Sequence, residues 1–348
     1  MIPVELKAIA DLDRLGVDEI LDVRSPAEWA EDHLPGAVNL PVLDDAERAR
    51  VGTIYTRESR FLARKVGAAL VARNAARHLE GYLADKPAGY RPLVYCWRGG
   101  QRSGSFALIL GQIGWQVRVL KGGWRSWRGL VAAALYDTPF PTPVRLLDGD
   151  TGTAKTALLA EVARQGGQVI DLEGLARHRG SIFGAEAGGQ PAQKGFESAL
   201  AVAIARLDPT RPVLIEAESA RIGALRLPPS LWAAMRAAPR IEIAAPLEER
   251  ARHLAHAYAD LTADPARLAG QIAALAALHP KDRIAHWQAL AGAGAHQDLA
   301  ADLMRHHYDP RYARLRERAE PPAARIAADN LAPAALPGLA ARVMAAIG

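Results

Sequence analysis

Pro92-Leu93-Val94-Tyr95-Cys96-Trp97-Arg98-Gly99-Gly100-Gln101-Arg102 sets the only cysteine of the 348-residue chain between an apolar run and a helix. The first four residues have the length and character of a buried strand. The residues from Ser103 to Leu110 read as the start of a helix. Cys96 therefore falls at a strand end and before a helix N-terminus, ringed by backbone N–H groups and by Arg98 and Arg102. That setting favours the thiolate, a nucleophile able to carry a transferred sulfur or selenium atom. Gly99 and Gly100 let the loop curl so that its N–H groups face inward. A lone cysteine is more often a small buried hydrophobe, but the glycines and arginines of this loop favour a catalytic role.

The rest of the composition is that of an ordinary globular protein, with 50% hydrophobic and 23% charged residues. Its length admits two domains with full cores. The net charge of +5 is compatible with a polyanionic partner. One cysteine excludes an internal disulfide framework and a cysteine-based zinc cluster. No apolar run is long enough to span a membrane and no secretory signal is visible, so a cytoplasmic location is expected.

Three alternate prolines in Asp137-Thr138-Pro139-Phe140-Pro141-Thr142-Pro143 predict an extended joint. The expected division is a first α/β domain over 1–136, a linker over 137–143, a second α/β domain over 144–246, and a helical extension over 247–348. Strands are predicted at 19–23, 38–40, 92–95, 117–120, 144–148, 168–171, 212–216 and 240–243. Helices are predicted around 26–32, 58–84, 103–113, 124–135 and 157–165.

Two motifs flank the cysteine loop in the first domain. Leu21-Asp22-Val23-Arg24 ends a strand, where Asp22 and Arg24 would brace the active-site side with an ion pair, and His33-Leu34-Pro35-Gly36-Ala37 turns into the next strand. Leu120-Lys121-Gly122-Gly123-Trp124 follows the loop. In this order the three motifs resemble the rhodanese fold over about 130 residues. That resemblance implies a sulfurtransferase-type loop with Cys96 as nucleophile and Arg98 and Arg102 toward the anion.

The second domain opens with Leu147-Asp148-Gly149-Asp150-Thr151-Gly152-Thr153-Ala154-Lys155-Thr156, a strand–loop–helix string of the phosphate-binding type. Gly149, Gly152 and Thr153 shape the loop. Lys155 can reach a terminal phosphate at the helix N-terminus, and Thr156 could ligate Mg²⁺. Ala154 stands where glycine is usual. If that position needs positive φ, alanine costs about 1–2 kcal/mol. The loop would hold a nucleotide or a diphosphate equally well. Glu216, at a strand end, is a candidate acidic partner for a metal or a bound water. No other metal ligands are predicted.

Three polar, glycine-punctuated strings follow at strand ends, where ligands sit in open α/β sheets. They are Asp171-Leu172-Glu173-Gly174-Leu175-Ala176-Arg177-His178-Arg179-Gly180-Ser181, Gln190-Pro191-Ala192-Gln193-Lys194-Gly195-Phe196-Glu197 and Glu216-Ala217-Glu218-Ser219-Ala220-Arg221. His178, Arg179, Glu216, Glu218, Ser219 and Arg221 are the ligand-site candidates among them. With the rhodanese-like and phosphate-loop domains, they resemble the tRNA 2-selenouridine synthase family over nearly the whole chain. After about residue 247 the likeness weakens, His306-His307-Tyr308-Asp309-Pro310-Arg311-Tyr312 being the most family-like string there.

The resemblance implies an enzyme that transfers a geranyl group from geranyl diphosphate to the sulfur of wobble 2-thiouridine in tRNA, then replaces S-geranyl with selenium from selenophosphate. It implies no tightly bound cofactor, and as partners tRNA and an enzyme supplying selenophosphate, without a membrane. Cys96 would serve selenation and Lys155 the prenyl diphosphate. Arg283, Trp287, Arg305, Tyr308 and Arg311 are candidate tRNA contacts. Two rival readings share the domains: a sulfurtransferase fused to a nucleotide-dependent kinase or ATPase acting on a small molecule, and a non-enzymatic, nucleotide-gated docking module.

Overall fold

The computed structural model describes residues 1–316 and 320–348. The chain forms two compact units. One comprises Met1–Phe140 with Pro191–Arg206 and Pro228–Ser230, the other Pro141–Gln190 with Leu207–Leu227 and Leu231–Gly348.

In the first unit, strands β1 (Ile2–Val4), β2 (Glu19–Asp22), β3 (Ala37–Asn39), β4 (Pro92–Tyr95) and β5 (Arg118–Leu120) form a parallel sheet in the order β1-β5-β4-β2-β3. Helices α1 (Pro26–Glu31), α2 (Asp45–Arg57), α3 (Arg60–Glu80), α4 (Gln101–Gln112) and α5 (Gly123–Ala132) connect and cover it. All four residues of β4 are buried, as a central parallel strand requires.

The Asp22–Arg24 pair expected from sequence is present and wholly buried, with Nη2 and Oδ2 2.5 Å apart. Tyr95 donates to Asp22 Oδ2 at 2.7 Å, and Arg24 also donates to the Asp32 carbonyl. The Arg24 guanidinium lies over the rings of Tyr95 and Trp124. This network ties β2, β4, the end of α1 and the start of α5 beneath the cysteine loop.

The second unit is a parallel sheet of β6 (Val144–Gly149), β7 (Gln168–Ile170), β8 (Val213–Glu216), β11 (Arg240–Ala244) and β12 (Ala324–Ala327), in the order β12-β11-β6-β8-β7. Helices α6 (Lys155–Arg164) and α7 (Leu172–Ala176) follow β6 and β7. The short strands β9 (Arg221–Ile222) and β10 (Leu225–Arg226) form a separate antiparallel pair. The last helix, Leu336–Ile347, shares an apolar core with α6 through Leu339, Val343, Leu158 and Val162. Among the described residues no helix is long and apolar enough to cross a membrane.

Three expectations need correction. The stretch from 247 is not helical to its end, because β12 adds a strand beside β11. The helix predicted over 58–84 is α3, but the helix before it, α2, escaped notice because Ile54 is its only buried residue. The second domain is also not continuous in sequence. Helix α8 (Gln193–Ala205) clusters with the first unit. Its Ser198 accepts from Trp127 Nε1 at 3.1 Å, and its buried Glu197 pairs with Arg128 and Tyr136.

Replacing Arg24 with alanine leaves Asp22 charged and without its partner in a dry site. The expected loss is about 3 kcal/mol or more in urea unfolding at neutral pH. A loss under about 1 kcal/mol would show that the pair does not brace this unit.

Candidate active sites

Cys96 follows β4, and its loop is clamped from below by α5. Trp124 N–H donates to the Cys96 carbonyl at 2.8 Å, and Arg125 N–H to that of Trp97 at 3.0 Å. Gly123 makes this approach possible. A Cβ there would lie 2.2 Å from the Cys96 carbonyl oxygen, and its φ is +57°. Gly100 is the N-cap of α4, and Gly99 precedes it in the curl of the loop. The amides of Trp97, Arg98, Gly99 and Gly100 find no acceptor among the described residues, which leaves them for a ligand. The Cys96 side chain is 4% exposed, at the edge of the apolar core, and its Sγ lies 3.2 Å from the Ser103 hydroxyl.

The two loop arginines are placed differently. Arg102 is held by Glu28 through hydrogen bonds of 2.6 and 3.2 Å, so its charge is largely answered within the protein. Arg98 is exposed and forms no ion pair among the described residues.

In the second unit, β6 runs through Gly149 into the phosphate loop, and Ala154 turns the chain into α6 with φ +60° and ψ +29°. The position does require left-handed backbone, and alanine occupies it. Gly152 packs where a Cβ would meet the Arg250 carbonyl at 2.9 Å. Arg250, which sequence reasoning missed, is buried, pairs with Asp309 and donates to the Thr151 carbonyl, fixing the loop from behind. Thr153 is buried and donates to the Asp150 carbonyl at 2.8 Å.

Lys155 Nζ rests 3.0 Å from the Gly149 carbonyl. Burial opposes its charge, but Tyr312 and the carboxyls of Glu216, Glu173 and Glu218 outweigh that and hold its pKa above the ordinary lysine value. The Thr156 hydroxyl lies within hydrogen-bond distance of both Glu216 (2.8 Å) and Glu173 (3.1 Å). Carboxylate oxygens of Glu173, Glu216 and Glu218 lie within 4.8 Å of one another. Glu216 is 1% exposed, and its Oε2 has no hydrogen-bond partner among the described residues. Burial, then the Glu218 charge, pushes Glu173 up to about 7, and burial, then Glu173, does the same to Glu216. Glu218 is raised as well, by burial and then by Glu216. Glu173 was not singled out from sequence, because only the pairing of β7 with β8 brings it to the other two.

These groups line a cleft of about 1710 Å³, together with Arg179, Ser219, Tyr308 and Arg311. Arg179 is turned to Asp260 at 2.9 Å. A narrow apolar crevice of about 70 Å³ adjoins the loop, walled by Phe183, Leu261, Leu268, Leu299 and Leu303. Thr151, Ser181, Leu254, Tyr258 and Tyr308 line both spaces.

Some sequence candidates fall elsewhere. His178 and Arg221 do not line the cleft. Trp287 is fully buried with its Nε1 donating to Asp302, so it is a core aromatic and not a tRNA contact. Arg283 pairs with the same Asp302, and Arg311 contacts the buried His307, while Arg305 stays exposed.

Comparison with known proteins matches this architecture. Residues 4–130 fit the model of the rhodanese-like domain, and residues 142–281 that of the tRNA 2-selenouridine synthase AAA domain. The fold and its two loops thus define a rhodanese-like domain joined to a phosphate-loop α/β domain. The tRNA 2-selenouridine synthase of Cupriavidus necator is 35% identical over 333 residues, covering 86% of this chain and 89% of that protein. Those of Chromohalobacter salexigens and Hahella chejuensis are 38% and 39% identical, over 69% and 67% of this chain. These two matches span 65% and 62% of the relatives' own lengths, just under two thirds. The chain belongs to the tRNA 2-selenouridine synthase family.

Two outcomes follow. Left-handed alanine costs about 1–2 kcal/mol, and glycine's looser unfolded chain returns about 0.4–1 of it. Removing the buried methyl costs about 0.8 kcal/mol more, so Ala154→Gly should stay within about 1 kcal/mol of wild type in urea melts, and a larger loss would contradict the strain. The second concerns pH. A Glu216 pKa raised from 4.5 to about 7 makes the folded state bind more protons in that window, so wild type loses stability as pH rises through it. Glu216→Gln removes this loss. The variant's stability relative to wild type should rise between about pH 5 and pH 8, and a flat difference would refute the repulsive cluster.

Proposed function

We propose that this protein converts the wobble 2-thiouridine of tRNA to 2-selenouridine in two half-reactions. In the first, the thiouridine sulfur attacks C1 of geranyl diphosphate. A C–S bond forms, the C–O bond to diphosphate breaks, and the ring loses its N3 proton. In the second, the selenium of selenophosphate attacks C2; a C–Se bond forms, the C–S bond breaks to release geranylthiolate, which takes up a proton, and water accepts the phosphoryl group as the P–Se bond breaks, giving phosphate. Geranylation makes a better leaving group of a poor one, which is the chemical reason for two steps.

The observation that carries this reading is the apolar crevice beside the phosphate loop. A diphosphate on the loop would meet Lys155, the amides of Thr151 and Gly152 and the α6 N-terminus, all of which stabilise the charge that develops as it departs. The crevice at Thr151 offers an apolar wall to the first carbons of a hydrocarbon tail on that diphosphate, whereas a nucleotide would bring polar ribose to it. Family membership supports the tRNA and selenium parts. Cys96, with free amides and Arg98 near it, is assigned to the selenium half.

A divalent cation fits the second unit. Glu216 Oε2 is a buried acceptor without a partner among the described residues, and Glu173, Glu218 and Thr156 offer oxygens around it. Held by these groups, Mg²⁺ would offset the diphosphate's negative charge.

Nucleoside mass spectrometry after incubation of 2-thiouridine-containing tRNA with geranyl diphosphate, then selenophosphate, reports both halves. Cys96→Ser should abolish selenouridine and leave S-geranyl-thiouridine to accumulate. Lys155→Ala should slow geranyl transfer by about 100-fold or more. Loss of both products in a folded Cys96→Ser protein would refute this division of labour.

A further inference from the structure

The tip of the α2–α3 hairpin carries chemistry that neither the fold nor the two loops use. Phe61 is 77% exposed and Tyr55 47%, both large penalties for a surface that meets only water. Between residues 55 and 65 there are four cations, Arg57, Arg60, Arg64 and Lys65, against one carboxylate, Glu58. That is +3 in eleven residues, where the whole chain carries +5. All four cations are exposed, and none forms an ion pair among the described residues. The Arg60 guanidinium lies 5.5 Å from the centre of the Tyr55 ring, so ring and charge are already side by side. Phe61, Arg64 and Lys65 stand at i, i+3 and i+4 and therefore share one face of α3.

Packing does not account for these residues. Of the tip residues only Ile54 and Ala63 are buried, and neither belongs to the unit's main apolar cluster, which takes from α3 Leu70, Val71 and Ala75 farther along. The base of α3 is tied to α4, the helix that follows the Cys96 loop, where His78 meets Phe106 edge-on. The tip is thus an outlying arm of the unit that carries the thiol.

We infer that the α2–α3 tip is a tRNA-binding surface, with Arg57, Arg60, Arg64 and Lys65 on backbone phosphates and Phe61 as a platform for an unpaired base. This rests on the tRNA reading given above. Cations interleaved with exposed aromatics are what single-stranded RNA loops engage, phosphates for affinity and ring faces for bases. The surface replaces Arg283 and Trp287, whose side chains are committed to Asp302.

The test is fluorescence anisotropy with labelled tRNA bearing wobble 2-thiouridine, from about 50 to 200 mM KCl. The triple variant R60E/R64E/K65E should raise Kd at least tenfold and flatten the salt slope by about 2, near 0.7 per single-strand phosphate contact. F61A should raise Kd about tenfold with the slope unchanged. The control K7E/K281E/R342E, which reverses three exposed cations elsewhere, should stay within threefold of wild type. Hairpin variants that bind within twofold of wild type overturn the inference, as does a control weakened as much as the triple variant. Wild type that retains no tRNA at all removes the tRNA reading itself. If the triple variant fails to fold, F61A and hydrogen exchange of wild type decide. Protection of residues 55–68 on adding tRNA supports the surface, and unchanged exchange there with tRNA bound overturns it.

Discussion

At Ala154 the backbone of the second unit turns left-handed, buried, between the end of β6 and the start of α6. The cleft depends on that turn. It frees the loop amides for an anion, starts α6 with its positive end toward the loop, sets Lys155 over the Gly149 carbonyl and brings Thr156 to Glu216. Glycine would hold the turn without strain. Alanine holds it because the surroundings fix it: Arg250 donates to the Thr151 carbonyl and is itself locked to Asp309, and Gly152 packs against the Arg250 backbone. A small strain at one residue is offset by a clamp that arrives about a hundred residues later.

The first unit solves a similar problem with other parts. There too a buried parallel strand ends in a glycine loop that leads into a helix, but the loop carries a thiol in place of an ammonium. Its clamp is the pair of amides at the start of α5, which need Gly123 to come close, and beneath them the Asp22–Arg24 network. Each loop leaves backbone donors without acceptors among the described residues, Trp97 to Gly100 in the first and Thr151 and Gly152 in the second. One loop has a thiol at its base and the other an ammonium beside three repelling carboxyls.

The features read correctly from sequence were those encoded over a few residues. The central strands appear as apolar runs, so Pro92–Tyr95 falls where the reading put it. The two loops were legible because their glycines, arginines and lysine are consecutive. What escaped depends on partners far along the chain. Glu28 takes up Arg102 across 74 positions, and Arg250 reaches Thr151 across 99. Strand β12 is only Ala324–Ala327, too short and alanine-rich to stand out within a helical stretch. Trp287 looked like a surface aromatic because its neighbours are polar, yet it lies in the core formed with Leu268, Leu275 and Leu299. Helix α8 is apolar enough to suit either unit, and its pairs with Trp127, Arg128, Tyr136 and Glu31 show which one it joins.

The central claim is that the phosphate loop and the apolar crevice at Thr151 form one site for a prenyl diphosphate. Calorimetry of wild type and Lys155→Ala with geranyl diphosphate, inorganic diphosphate and ATP tests it most directly. The account predicts that geranyl diphosphate binds more tightly than either of the others, and that Lys155→Ala weakens it by at least about tenfold, the loss of a charge-assisted contact. Tighter binding of ATP, or equal binding of geranyl and inorganic diphosphate, would contradict it.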